Sequence, residues 1–209
     1  MIPLMLDLSD KRVVIFGGGE VGARKAAFFS HEAKVLVIST SFVPEFDALN
    51  TLSVNLLNMD VSLGPDEELS RLIEGAFIVV GATSDKKQNN RIGKICRDLG
   101  IHFNNADGKP GDIIVPSVIG GEHYLIGIST MGNSPAVSRY IRMVLEKECA
   151  GLDDMIVLQE ELRSVLKKTE PDQKKRVLIL RDILNDSEIW EILDEDLELA
   201  IMKAEEKYL

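Results

Sequence analysis

The first hundred residues alternate short apolar runs with longer stretches whose apolar positions recur at helical spacing. The apolar runs predict strands at 12–16, 34–39, 53–57, 76–80 and 101–104. The stretches between them predict helices at 20–32, 66–74 and 86–99, the last one with Asp85 as its N-cap. Apolar strands that alternate with helices are typical of a parallel sheet covered on both faces. The pattern therefore predicts an α/β, Rossmann-like fold.

After residue 111 the pattern changes. Two β-rich runs, 112–119 and 123–130, predict an antiparallel hairpin. A helix is expected to begin at Pro135 with Ser134 as its N-cap. Further helices are predicted at 152–168, from Pro171 onward, and at 187–207. We therefore expect a Rossmann domain at 1–111, a β-hairpin and helix region at 112–150, and a C-terminal helical domain at 151–209.

Composition and charge narrow the class of protein. Of the 209 residues, 45% are hydrophobic and 28% are charged, which is typical of a globular protein. The formal net charge of −10 argues against broad nucleic-acid binding, which needs a basic face. No apolar run is long enough for a membrane span, and the N-terminus lacks a signal-peptide pattern. The two cysteines are far apart in sequence, so we expect a cytoplasmic protein without a disulfide scaffold.

A glycine-rich segment follows the first predicted strand and opens the first predicted helix. It has the GxGxxG spacing and consists of Gly17, Gly18, Gly19, Glu20, Val21 and Gly22. The first glycine of such a motif permits a tight turn, the second lets a pyrophosphate approach the backbone, and the third allows helix and strand to pack closely. The segment predicts a dinucleotide site.

The acidic residue that usually holds the ribose of NAD is missing. Ser39, Thr40 and Ser41 stand at the end of the second strand, where an Asp or Glu is expected. No Arg or Lys replaces it, so a 2′-phosphate has no evident partner. The three hydroxyl groups can bond a ribose, which favours NAD and leaves NADP open.

Asp107 follows the fifth predicted strand, at the sheet edge where ligands of open α/β sheets bind. Its neighbours are Asn, Gly and Pro residues, which dominate turns for conformational reasons alone. The position therefore allows either a catalytic carboxylate or an ordinary turn. The three histidines show no metal-ligand spacing, and we expect no metal site.

Four segments together resemble one family. They are residues 13–25, residues 81–85 with Asn89, residues 104–107, and residues 128–135 with Arg139, Ile141 and Arg142. Their order and separation are similar to those of the dehydrogenase module of the siroheme synthase family, which includes precorrin-2 dehydrogenases and dehydrogenase/ferrochelatases. The similarity spans residues 2 to about 150, whereas the C-terminal helices carry no motif.

This resemblance implies NAD-dependent oxidation of precorrin-2 to sirohydrochlorin, in a homodimer paired through the hairpin region. Asp107 falls on the family's catalytic aspartate, and Ala82 and Thr83 join the candidate cofactor residues. The substrate carries eight carboxylates, so an acidic chain needs local positive charge. The candidate substrate-binding residues are Arg24, Lys25, Lys109, Ser134, Arg139 and Arg142. The family contains members with and without iron insertion, so Fe²⁺ as a second substrate stays open.

Two other interpretations compete. Residues 17–22 also resemble the NAD-sensing domains that regulate potassium transporters. Those domains, however, keep an acidic residue after the second strand and have no segment similar to residues 128–135 of this chain. The other alternative is an NAD-dependent dehydrogenase acting on a different anionic substrate.

Overall fold

In the computed structural model, which describes residues 1–49, 53–108 and 111–209, the apolar runs of the first half pair as one parallel sheet. Its strands are β1 (Arg12–Phe16), β2 (Lys34–Ser39), β3 (Val54–Asn58), β4 (Ile78–Gly81) and β5 (His102–Asn105). They lie in the order β3-β2-β1-β4-β5, with Val13 of β1 opposite both Val35 of β2 and Ile78 of β4. The predicted Rossmann-like sheet is confirmed.

Helices cover both faces of this sheet because the central strand is apolar on both sides. Its helices are α1 (Glu20–Phe29), a 3₁₀ helix (Pro44–Ala48), α2 (Asp66–Ile73) and α3 (Lys86–Leu99). Val13 and Ile15 of β1 pack with residues of α1, whereas Val14 and Phe16 pack with residues of α2 and α3. All four side chains have no exposed surface, which is the burial expected of a doubly covered parallel sheet.

The strand order reverses between β1 and β4, and this reversal locates the candidate site. The chain runs from β1 outward to β3 and then returns to pair β4 with the other side of β1. In open α/β sheets, ligands bind beyond the carboxyl ends of the strands at this switch point. The loops that follow β1 and β4, at residues 17–19 and 82–85, therefore lie next to each other.

The chain divides into two compact units, residues 1–115 and residues 116–209. The second unit contains a two-stranded antiparallel sheet of β6 (Ser117–Gly120) and β7 (Leu125–Ile128). Its helices are α4 (Pro135–Glu148), α5 (Leu152–Thr169), α6 (Gln173–Leu184), α7 (Ser187–Leu193) and α8 (Leu197–Tyr208). Leu158 and Leu162 of α5 and Ile183 of α6 lie fully buried at the centre of its core. The finer division at residues 111 and 150 stays a prediction.

Three predicted elements differ from the structure by more than two residues at an end. The first helix ends at Phe29 instead of residue 32. At this end the Ser30 hydroxyl donates to the Ala27 carbonyl, a local side-chain bond that competes with continuation of the helix. The hairpin strands are shorter than predicted, since residues 112 and 113 bond the backbone of Phe103 in the first unit.

The predicted helix at 187–207 is in fact two helices. Asp194 closes α7, and the Asp196 carboxylate accepts a hydrogen bond from the Leu199 N–H at 3.0 Å to begin α8. An N-capping side chain of this kind satisfies a backbone donor that a continuous helix would bond internally. Within the described ranges, none of the helices is long and apolar enough to cross a membrane.

Candidate active site

The loop after β1 and the first turn of α1 contain three positions that only glycine accommodates. Gly17 has φ +118°, and a Cβ there would lie 2.2 Å from the Ala82 carbonyl oxygen of the neighbouring loop. A Cβ on Gly18 would lie 2.0 Å from the Ser41 carbonyl oxygen, and one on Gly22 would lie 1.9 Å from the Gly17 carbonyl oxygen. Because these glycines have no Cβ, the ends of β1, β2 and β4 can approach one another closely around the start of α1.

Gly19 differs from these three glycines because open space surrounds it. It is the N-cap of α1, makes no side-chain capping bond, and a Cβ there would meet no atom within 4 Å. The helix accepts its first internal bond at the Gly19 carbonyl from the Ala23 N–H, at 2.9 Å. The N–H groups of Glu20, Val21 and Gly22 therefore point out of the first turn without helical partners. An open helix N-terminus with bare backbone fits the pyrophosphate of a dinucleotide.

The hydroxyl residues after β2 lie at the same edge of the sheet. Ser39 is half-buried, and Thr40 and Ser41 are exposed. The Asn58 side chain donates to the Thr40 carbonyl at 3.3 Å, which holds this loop against the end of β3. The three hydroxyl groups thus remain at the sheet edge expected for a ribose.

A polar network joins the loop after β4 to the turn after β5. Asn89, on the first turns of α3, donates from Nδ2 to an Asp107 carboxylate oxygen at 2.9 Å and to the Thr83 carbonyl at 3.0 Å. Its Oδ1 accepts from the Thr83 N–H at 3.1 Å and from the Thr83 hydroxyl at 2.7 Å. The Asp85 carboxylate caps α3 by accepting from the Lys87 N–H at 2.8 Å. The network joins a candidate cofactor residue to the candidate base.

Asp107 itself is exposed on a tight turn. Its N–H donates to the Asn105 side-chain oxygen at 3.1 Å, and the Gly108 N–H donates to the Asn105 carbonyl at 3.1 Å. Gly108 has φ +109°, a conformation that favours glycine. The turn interpretation of this segment and the site interpretation are thus compatible. Lys109, a candidate for substrate binding, lies outside the described residues.

The candidate basic residues of α1 occupy different environments. Arg24 is exposed and lines a surface cavity with Glu20 and Glu45, beside the 3₁₀ helix. Lys25 is half-buried, and desolvation together with the nearby charge of Arg24 lowers its pKa to about 8. Lys25 takes part in none of the ion pairs formed by the described residues. Partly desolvated, unpaired cations of this kind are found at sites that receive an anion.

The second unit carries three further candidates. Ser134 is the N-cap of α4 and accepts from the Val137 N–H at 3.3 Å. Arg139 is exposed, whereas the Nε of Arg142 lies 3.5 Å from a Glu146 carboxylate oxygen on the same helix. The loop that leads into α4 contains Met131 at φ +57°, a conformation uncommon for a residue with a side chain.

The first unit therefore brings together the candidate residues of the glycine-rich loop, the hydroxyl segment, Ala82, Thr83 and Asp107. The second unit places Ser134, Arg139 and Arg142 on one helix. Asn89 was not among the candidate site residues. The sequence feature that could have identified Asn89 is its position four residues after the N-cap Asp85. Residues four apart lie on the same face of a helix, so the Asn89 side chain lies next to the loop after β4. Within the described residues, no group of three or more His, Cys, Asp or Glu side chains is arranged to hold a metal ion.

Fold and loop geometry define the first unit as an NAD(P)-binding Rossmann domain, and residues 4–117 match a family model described as NAD(P)-binding. The chain is 44% identical to the precorrin-2 dehydrogenase of Methanosarcina barkeri, over 97% of this chain and 91% of that protein. It therefore belongs to the precorrin-2 dehydrogenase family.

Two other comparisons extend this result. The chain is 30% identical to the siroheme synthase of Salmonella typhi over 147 residues, which are 69% of this chain and 31% of that protein. The structure of SirC, a precorrin-2 dehydrogenase, superposes with a TM-score of 0.74 over 99% of this chain and 100% of the other. Its sequence identity is 22%, so this second likeness concerns the fold.

Proposed function

We propose that this protein oxidises precorrin-2 to sirohydrochlorin with NAD⁺, and that Asp107 is the base. The observation that carries the proposal is the position of Asp107. Its carboxylate lies beyond the end of β5 and is joined through Asn89 to the loop after β4, beside the glycine-rich loop. A sensor domain would need the nucleotide loop alone, which disfavours that alternative. The 44% identity to a precorrin-2 dehydrogenase disfavours the other alternative, a dehydrogenase acting on a different anionic substrate.

The reaction removes a hydride and a proton from the substrate. NAD⁺, when bound, would supply the acceptor for the hydride and its electron pair at its nicotinamide. The proton leaves a neighbouring carbon as a new double bond forms, and the Asp107 carboxylate accepts it. Asn89 occupies one carboxylate oxygen of Asp107 at 2.9 Å, which leaves the other oxygen to take up the proton.

The start of α1 and the segment at the end of β2 would hold the cofactor, and Lys25 of α1 would hold one part of the substrate. The backbone N–H groups of Glu20, Val21 and Gly22 would hold the pyrophosphate, and Ser39 and Thr40 would hydrogen-bond the ribose. Lys25, half-buried and without an acidic partner among the described ion pairs, binds a substrate carboxylate. A cation that is already desolvated loses less solvation when it pairs with a carboxylate.

Arg24, Arg139, Arg142 and Ser134 are further proposed contacts to the substrate. Arg24 and Arg139 are exposed and take part in none of the ion pairs between described residues, so each guanidinium group can pair with a carboxylate through two donor bonds. Arg142 would have to exchange its contact with Glu146.

The chain is further proposed to act as a homodimer. Helix α4 buries none of its own residues, yet its apolar side chains recur at helical spacing. Val137, Tyr140 and Val144 are 46%, 68% and 41% exposed, and Met143 is 52% exposed. Large apolar side chains exposed together on one helix are typical of an interaction surface, and a second copy of this chain offers a matching one.

Iron insertion and a cytoplasmic location stay predictions. Chelation needs a group that takes up pyrrole protons, and Asp107 would be that group. Fe²⁺ would then be a second substrate.

The experiment that tests the proposed oxidation follows NADH formation and the spectrum of sirohydrochlorin after precorrin-2 and NAD⁺ are mixed with the protein. Asp107→Asn is nearly isosteric and lies in a turn that accepts Asn, so it keeps the fold and cofactor binding. Its turnover should fall by at least about 10²-fold, the effect of losing a positioned base. Turnover equal to that of the wild type would show that Asp107 is not the base and has only a structural role in the turn.

A further inference from the structure

The Asn89 side chain has every one of its hydrogen-bonding positions occupied. It has no exposed surface, and buried amides are costly unless they are fully bonded. Its two Nδ2 hydrogens go to Asp107 and to the Thr83 carbonyl, and its Oδ1 receives the Thr83 N–H and hydroxyl. Three of these four bonds therefore hold one residue of the β4 loop, and the fourth reaches the candidate base.

The orientation of this amide follows from Thr83. A backbone N–H only donates and a backbone carbonyl only accepts, and Asn89 bonds both groups of Thr83. Rotating the amide by half a turn would place oxygen against the Thr83 carbonyl and NH₂ against its N–H. The donor must therefore face Asp107, where it bonds the carboxylate oxygen at 2.9 Å.

The Asp107 side chain needs such a restraint because the described residues of its own turn contact only its backbone. Asn105 bonds the N–H of Asp107 and leaves the carboxylate unrestrained. An exposed carboxylate samples several rotamers, and only some of them would direct its free oxygen at the reacting carbon. The bond from a fully buried amide selects one arrangement.

We propose that Asn89 is a positioning residue that holds the Asp107 carboxylate at a set distance from the Thr83 loop, and so aligns the base with the cofactor. This inference rests on the proposed function. It predicts that Asn89 acts on turnover through Asp107, with a smaller effect on the binding of either substrate.

The test compares Asn89→Ala with Gln88→Ala in the full-length protein. Gln88 is the neighbouring amide of α3, is 7% exposed, and donates to the Val61 carbonyl at 3.0 Å, away from Asp107. Both substitutions remove a buried amide from the same helix. Asn89→Ala should lower kcat by about 10-fold to 10²-fold and change KM less, while Gln88→Ala keeps kcat near the wild-type value. Equal losses of kcat in both variants would overturn the inference.

A double-mutant cycle supplies the second readout. In an Asp107→Asn background, adding Asn89→Ala should lower kcat by less than about twofold, because the base that Asn89 positions has already gone. Two effects that multiply would show that Asn89 acts on turnover independently of Asp107, and would overturn the inference. If the wild type forms no NADH from precorrin-2, or if Asp107→Asn is fully active, the proposed function or its base fails, which is distinct from a failure of Asn89.

A conservative variant covers the case in which Asn89→Ala does not fold. Asn89→Asp keeps an oxygen for the Thr83 N–H but puts a second carboxylate at hydrogen-bond distance from Asp107. Two such carboxylates share a proton, so the acidic limb of the pH profile of kcat should move to higher pH. An unchanged profile would contradict the inference.

Discussion

Replacing Lys25 by Met should stabilise the fold and weaken the enzyme. Desolvation and the charge of Arg24 lower the pKa of Lys25 from 10.5 to about 8. Each tenfold change in proton affinity corresponds to about 1.4 kcal/mol. Holding the charged lysine in the folded state therefore costs about 2 to 3 kcal/mol, after allowance for its partial exposure to solvent. Lys25→Met removes the charge and keeps a long apolar side chain.

The pH dependence has a definite sign. Below about pH 8 the lysine is charged in both states, and the full cost of burying the charge is present. Between about pH 8 and pH 10.5 the unfolded chain binds a proton that the folded protein has released, so the stability of the wild type rises with pH. The advantage of Lys25→Met should therefore be largest at pH 7 and shrink above pH 8.

Urea unfolding measures this difference. Far-UV circular dichroism reports the whole chain, while the single tryptophan, Trp190, lies in the second unit and serves as an internal reference. The exposed Lys34, replaced by Met, is the matched control and should change stability by less than about 0.5 kcal/mol. The KM for precorrin-2 should rise in Lys25→Met. The reasoning would be refuted if Lys25→Met were less stable than the wild type at pH 7. It would also be refuted if Lys25→Met raised the free energy of unfolding no more than Lys34→Met does.

Three further predictions follow from the loop, the exposed helix and the base. Gly19→Ala should keep the melting temperature but raise the Kd for NAD⁺ by about tenfold, since the added methyl group enters the space where the pyrophosphate would bind. Gly22→Ala is the contrasting variant and should lower the free energy of unfolding by about 1–3 kcal/mol, because the added Cβ would lie 1.9 Å from a backbone oxygen. Unchanged NAD⁺ titrations of Gly19→Ala would contradict the assignment of the loop. Light scattering at micromolar concentration should give twice the chain mass of 23.1 kDa, and Tyr140→Glu should give the single mass; a wild-type monomer rejects the dimer. If Asp107 also takes up pyrrole protons, sirohydrochlorin with Fe²⁺ and no NAD⁺ will change its spectrum faster with the wild type than with Asp107→Asn, and a rate equal to the protein-free control leaves oxidation alone.

The sequence was sufficient for the strands and α-helices of the first unit, although it did not reveal the 3₁₀ helix at Pro44–Ala48 or the end of α1 at Phe29. Continuous β-branched runs such as 12–16 predict strands buried on both faces, and their alternation with helices predicts the parallel sheet. The glycine spacing predicts the loop because Gly22 closely approaches the backbone of Gly17, which lies only five residues earlier. These features depend on neighbours within a few residues along the chain, which is why the order of residues reveals them.

Tertiary structure alone decided the contacts across the sheet edge. Asn89 and Asp107 are 18 residues apart, and only the pairing of β4 with β5 brings the carboxylate within 2.9 Å of the amide. In the same way, the partial burial of Lys25 follows from how α1 packs, and helical periodicity by itself gives no sign of its lowered pKa. The break at 194–196 was missed because apolar periodicity continues through it, whereas the capping bond of Asp196 depends on local backbone geometry. Residue types and spacing thus determined the class of site. Which side chains meet there was decided by long-range packing, since hydrogen bonds form between groups that are close in space whatever their separation along the chain.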